Sequence, residues 1–144
     1  MAYKNKFFPK NQSKYIGDST KILCRSLWER KFCKYLDENK NILRWSFENI
    51  KIPYKSPLDN QMHFYIPDFL AEKRNKDGSI STLLIEVKPF KQTKQPIMTE
   101  AMSKKTYSKN METFLVNQAK WEAAKDFCEK NDINFIILTE KELL

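Results

Sequence analysis

Apolar and polar residues change their period along this chain, and each change marks an element. Ser26-Leu27-Trp28-Glu29 reads as a capping box, S-x-x-E, opening a helix that runs to about Asn39. Trp28, Phe32, Tyr35 and Leu36 follow at helical spacing and form its expected buried face. From Ile42 the period drops to two, and residues 42–47 and 49–54 alternate as half-buried strands do. Ser56-Pro57-Leu58-Asp59-Asn60 is a turn-rich break, after which a strand beginning at His63 carries Asp68. A second helix is expected from about Ser108 to Lys130, with Phe114, Leu115, Trp121, Ala124 and Cys128 on its apolar side. Residues 134–138 (N-F-I-I-L) make a last strand, and Thr139-x-x-Glu142 offers a cap for a final turn.

The stretch from Tyr65 to Lys88 holds two apolar runs around Asp77-Gly78, a strong hairpin signal because both positions tolerate positive φ. A hairpin centred near Asp77 sets Asp68 opposite Glu86, and Lys88, two residues on, shares the face of Glu86. Leu83, Leu84, Ile85 and Val87 make the second strand apolar on both faces, as in a central, covered strand. Two opposed carboxylates in such a place need a partner. A divalent cation is one solution, because hard oxygen ligands suit Mg²⁺. A structural salt bridge from Lys88 to Asp68 or Glu86 is the other. Pro89 then stops regular pairing, and residues 89–108 form a long connection of low periodicity.

The element order is helix, antiparallel-prone strands, the Glu86 strand, helix, strand. It fits an α/β domain with a central mixed β-sheet flanked by helices, closed by a right-handed βαβ crossover. Residues 1–19 read as an extended basic N-terminal arm, and residues 20–144 as a single domain. The arm either touches DNA or is stapled to the core by Tyr3, Phe7, Phe8 and Tyr15.

Composition narrows the function classes. Only Gly17 and Gly78 are glycines, which leaves no room for a Gly-rich phosphate loop. Cys24, Cys33 and Cys128, with the lone His63, lack zinc spacing and read as reduced, mostly buried thiols. No run approaches a membrane span, and the N-terminus carries no signal-peptide core. The net charge of +8 points to a polyanion, nucleic acid first. The excess is local, with Lys88, Lys91, Lys94, Lys104, Lys105 and Lys109 set against Glu100 alone. That segment follows Glu86 directly, so Lys91, Lys94, Lys104 and Lys105 are the candidate DNA contacts. A solvated lysine-rich loop without a partner is the plainer alternative.

Other residues carry two readings each. Glu29 caps the Ser26 amide, or looks toward the sheet as a third carboxylate, and both roles can hold in turn. Glu48 reads as a polar turn residue. Gln118 and Lys120 precede the core residue Trp121 and read as core-edge packing, with an accessory site role open for Gln118. His63 falls on the face opposite Asp68 in a regular strand and reads as a surface or packing histidine.

Asp68 followed by Glu86-Val87-Lys88, with Pro67 before it, resembles the PD-(D/E)xK pattern of restriction-endonuclease-like nucleases. The surrounding sequence is more specific. R-S-x-W-E (25–29), W-S-x-E (45–48), I-P-Y-x-S-P (52–57), H-x-Y-x-P-D-F (63–69) and I-E-V-K-P (85–89) occur in this order. Together, over residues 15–130 or so, they resemble the head completion nucleases of T-even-like tailed phages, which are similar to TnsA-type transposon endonucleases. The resemblance implies a restriction-endonuclease-like core and a Mg²⁺-dependent deoxyribonuclease, with Mn²⁺ able to substitute. It implies that Asp68, Glu86 and the Val87 carbonyl bind the metal, that Lys88 orients or helps deprotonate the attacking water, and that Glu29 is the acidic residue of the first helix. Glu48 matches the family pattern without a derivable role.

The expected setting is the bacterial host cytoplasm, or the virion itself, with DNA and phage head or neck proteins as partners. The expected work is processing of packaged DNA before head-tail joining. Transposon relatives carry a second, C-terminal domain, and a chain stopping after the last strand favours the stand-alone phage enzyme. Two rivals stand beside this reading: a partner-dependent transposase-like or repair endonuclease, and a non-catalytic DNA-binding protein of the head-tail junction. Endonuclease and exonuclease action are both open, and no interface for oligomerisation is visible.

Overall fold

The computed structural model describes residues 4–143. In chain order the elements are β1 (Asn5–Lys6), β2 (Leu23–Cys24), α1 (Leu27–Glu38), β3 (Ile42–Phe47), β4 (Ile52–Lys55), β5 (Met62–Tyr65), β6 (Phe69–Arg74), β7 (Ile80–Val87), α2 (Lys104–Lys130), β8 (Asn134–Leu138) and α3 (Glu140–Leu143). The main sheet has the order β3-β6-β7-β8, antiparallel except for the parallel pair β7 and β8 that α2 connects. This is the expected mixed sheet with a βαβ crossover.

Alternation along β7 builds a core on each face of the sheet. Leu83, Ile85 and Val87 pack with Phe69 and Ala71 toward α1, whose Phe32, Cys33 and Leu36 close that side. Leu84 faces the other way, toward Trp121, Ala124 and Cys128 of α2 and toward Ile52, Tyr54 and Tyr65 of the β4–β5 hairpin. Glu86 follows Leu84 at the two-residue period, so its carboxylate enters at the end of the α2-side core.

The β6–β7 register pairs Phe69 with Ile85, Leu70 with Leu84 and Arg74 with Ile80. Extending it by one residue sets Asp68 against Glu86, as the hairpin reading requires. The turn itself differs from the expected one. Gly78 alone takes a positive φ (87°), Gly78 N–H bonds Asn75 O, and Asn75 N–H bonds Ser79 O. That is a type I turn followed by a left-handed glycine, which keeps the same strand register.

Three other elements depart from the pattern. The strand expected to run unbroken from His63 through Asp68 is two strands: β5 pairs with β4, and β6 pairs with β3. Pro67 is the reason, since it has no N–H for a ladder and is fully buried at the switch between sheets. On α1, Tyr35 is 49% exposed, while Cys33 and Asp37 are buried. Asp37 can be buried because Lys10 N–H (2.8 Å) and Asn11 N–H (3.2 Å) bond its carboxylate. The second helix begins at Lys104, not near Ser108, with Ser103 Oγ accepting Thr106 N–H. Its first two turns are polar on nearly all sides, so no periodicity announces them, and further along Leu115 is exposed where Asn117 turns inward.

The N-terminal segment is stapled to the core. Phe7 and Tyr15 meet the fully buried Trp45 edge-on, with ring centroids 6.1 and 4.8 Å away. Phe8 does not share in this, being 68% exposed, and Tyr3 lies outside the described residues.

Candidate active site

Asp68 stands immediately before β6, held there by its own peptide and by its neighbour across the hairpin. Its carbonyl accepts Glu48 N–H (2.8 Å) and its Oδ2 accepts Val87 N–H (2.7 Å). Glu86 is 5% exposed, and Lys88 Nζ lies 3.8 Å from its Oε2. Lys88 follows the last paired residue of β7, and its N–H bonds Leu138 O (2.9 Å), so β8 fixes where the lysine leaves the sheet. Burial first, and then the negative charge of Glu86, push the Asp68 carboxyl far above the ordinary carboxylate range, to about 9. Two carboxylates that cannot both ionise comfortably are a pair that holds either a proton or a cation.

Tyr65 closes the floor of the site from the β4–β5 hairpin. Its buried hydroxyl and the buried Trp121 indole N–H have no hydrogen-bond partner among the described residues. Burial and the Glu86 charge raise the tyrosine's pKa, so the hydroxyl stays neutral and available as a donor.

Glu29 and Glu48 form the rim with Arg25. Ser26 Oγ accepts Glu29 N–H (3.1 Å), but the Glu29 carboxylate accepts Arg25 N–H (2.7 Å), one residue earlier than the expected Ser26 amide. Burial, followed by the nearby Glu48 charge, raises the Glu29 pKa against that hydrogen bond, and Glu86 adds to the effect. The Arg25 guanidinium holds both oxygens of Glu48, one at 2.6 Å. Glu48 has a φ of 50°, uncommon for a residue with a Cβ. Its backbone thus bonds Asp68 while its side chain holds Arg25, and a continuous set of contacts joins Glu29 to Asp68.

The remaining candidates lie further out. Gln118 is half-buried on α2 and makes no side-chain hydrogen bond among the described residues. Lys91 and Lys94 are exposed on a 3₁₀ turn (Phe90–Thr93) and just past it, and Lys104 and Lys105 are exposed on the first turn of α2. Glu140 of α3 accepts Phe90 N–H with both oxygens (3.0 and 3.2 Å), so the short C-terminal helix anchors the segment that follows Lys88. His63 lies away from the carboxylates and pairs with Asp59 at 2.7 Å. Arg25 and Tyr65 are the residues around the carboxylates to which the sequence analysis gave no site role. Arg25 had a signal as the first letter of R-S-x-W-E. Tyr65 sits in an apolar run that reads as core.

Among the described residues no three His, Cys, Asp or Glu side chains converge closely enough to hold a metal by themselves. The donor set that does converge is two hard carboxylates, a number sufficient for Mg²⁺, which keeps several waters and takes substrate phosphate oxygens. Those residues therefore fit a hard divalent cation.

A mixed sheet with helices on both faces, carrying an aspartate and an E-x-K on adjoining strand ends, is a restriction-endonuclease-like core of the PD-(D/E)xK nuclease class. The TnsA-like endonuclease N-terminal family matches residues 39–140, and the chain belongs to that family. It is also 40% identical, over 146 aligned positions, to the head completion nuclease of Enterobacteria phage T4, with 99% of this chain and 95% of that protein covered.

Proposed function

We propose that this protein is a Mg²⁺-dependent deoxyribonuclease that processes packaged phage DNA during head completion. The observation that carries the reading is the buried pair Asp68 and Glu86, with Lys88 3.8 Å from Glu86. Homology to a head completion nuclease supports the same chemistry and setting.

Asp68, Glu86 and the Val87 carbonyl would hold the cation. When bound, it would supply a Lewis acid for the phosphate and lower the pKa of a coordinated water. Lys88, tied to Glu86, would orient the attacking water and place positive charge beside the phosphate. Hydrolysis forms the bond from water oxygen to phosphorus, breaks the bond to the leaving ester oxygen, and delivers the water's proton to that oxygen by way of solvent. Arg25 and Glu48 would act as positioning residues, because they hold Glu29 and the Asp68 peptide. Lys91, Lys94, Lys104 and Lys105 would neutralise phosphates beside the site. The side chains described offer no base-reading element, which favours cutting with little sequence specificity.

The test is cleavage of circular and linear duplex DNA by wild type, Asp68→Asn, Glu86→Gln and Lys88→Ala, with Mg²⁺ and with EDTA. Metal-dependent cutting by wild type, reduced at least ~100-fold in each variant, is the expected outcome. Opened circles would identify endonuclease action; loss of linear DNA alone would identify exonuclease action. A folded wild type that binds DNA but never cuts it in Mg²⁺ or Mn²⁺ would overturn the enzyme reading in favour of a DNA-binding head protein.

A further inference from the structure

Lys120 is a cation with no assignment and an unusual position. It lies on α2 immediately before the buried Trp121 and is half-buried itself. Its Nζ sits 5.9 Å from the ring centroid of Tyr54 and 5.8 Å from that of Tyr65, between two aromatic faces of the β4–β5 hairpin. Among the described residues it makes no ion pair, whereas Lys88 is engaged with Glu86. Burial, and then the positive charge of Lys88, lower its pKa, while Glu86 opposes them. Tyr65 also packs with Leu84, which Glu86 follows on the same face of β7, so Lys120 stands on the ring that lines the Glu86 side of the sheet.

A half-buried ammonium without a counter-ion is costly for the free protein. Packing alone does not account for it, since an aliphatic side chain would cover Tyr54 and Tyr65 without desolvating a charge. The two rings hold the ammonium through their faces, which leaves its donors unspent. A phosphodiester entering beside Asp68 and Glu86 brings the anionic oxygens that such donors lack.

We infer that Lys120, seated on Tyr54 and Tyr65, forms a phosphate-binding site for the DNA strand opposite Lys88. It contacts a non-bridging oxygen of the phosphate at the cut and stabilises the charge that grows there during hydrolysis. It remains protonated throughout and transfers no proton. Lys88 then serves the water side of the reaction and Lys120 the phosphate side. This rests on the nuclease reading only for the catalytic half of the claim; the phosphate contact stands on geometry.

The test compares wild type, Lys120→Met and Lys120→Arg. With Ca²⁺ replacing Mg²⁺ to keep DNA uncut, affinity for a short duplex is measured across a salt series. A phosphate bound by Lys120 predicts that the slope of log affinity against log salt falls by about one in Lys120→Met and not in Lys120→Arg. Equal slopes in all three proteins overturn the proposal. In Mg²⁺ at saturating DNA, Lys120→Met is expected to cut ~100-fold more slowly in single turnover, with partial recovery in Lys120→Arg. A defect cured by more Mg²⁺ would assign Lys120 to charge balance around the carboxylates and also overturn the proposal. Should wild type never cut while Lys120→Met still lowers the salt slope, the nuclease reading fails and the phosphate site stands. If Lys120→Met does not fold, Lys120→Gln carries the same comparison.

Discussion

Burial and the Glu86 carboxylate together raise the Asp68 pKa, so the native protein holds a proton there that the unfolded chain releases at lower pH. Stability from this group is complete below the ordinary aspartate range and is lost as pH rises through the raised native value. Wild type should therefore lose thermal stability between about pH 4 and pH 9, and Asp68→Asn should flatten that decline. At pH 8 Asp68→Asn should melt higher than wild type in EDTA, while Mg²⁺ should raise the melting temperature of wild type alone. A variant that melts lower than wild type in EDTA at every pH would contradict the strain attributed to the pair. Asp68, Glu86 and Lys88 were legible because a hairpin register is local. Tyr65 was not, because its role depends on which wall faces Glu86, and that is set by residues far away in the chain.

The C-terminus of α1 shows how an element can be completed from a distance. Lys14 Nζ donates to the carbonyls of Leu36 (2.9 Å), Asp37 (2.8 Å) and Asn39 (2.9 Å), the oxygens a helix end leaves without partners. Asp37 answers by holding the peptide N–H groups of Lys10 and Asn11. Lys14→Met should cost about 2 kcal/mol, seen as a lower urea midpoint with an unchanged slope. No change in midpoint would mean that water replaces the lysine freely. The same reciprocity explains why the inward face of α1 runs through Cys33 and Asp37 and not Tyr35. Helical spacing predicts a stripe, but a polar residue joins it where another segment brings donors.

Across the whole molecule the net charge is +8, and the segment that follows β7 contributes exposed Lys91, Lys94, Lys104 and Lys105 to it. Changing all four to Gln should lower the salt dependence of DNA affinity by about 0.9 for each phosphate they neutralise, uniformly across sequences. An unchanged slope would return that segment to the plainer role of a solvated loop. Among the described residues no helix is long and apolar enough to cross a membrane. The long connection is also less free than its polarity suggests, since Glu140 holds Phe90 and the Lys141 ammonium lies 3.5 Å from the Phe90 ring centroid.

The amino-acid sequence by itself was enough for the mixed sheet, the β6–β7 register, the crossover through α2 and the carboxylate-lysine set. Each of these follows from a period, a turn or a cap within a few residues, and local physics is written locally. The two-sheet break at Pro67, the inward face of α1, the early start of α2 and the joining of Arg25 to Glu48 came from packing. They depend on which distant donor, acceptor or ring arrives beside a residue. Lys120 is the clearest case: in the sequence it is one lysine on a helix, and only the β4–β5 hairpin folded against α2 seats its ammonium on the rings of Tyr54 and Tyr65.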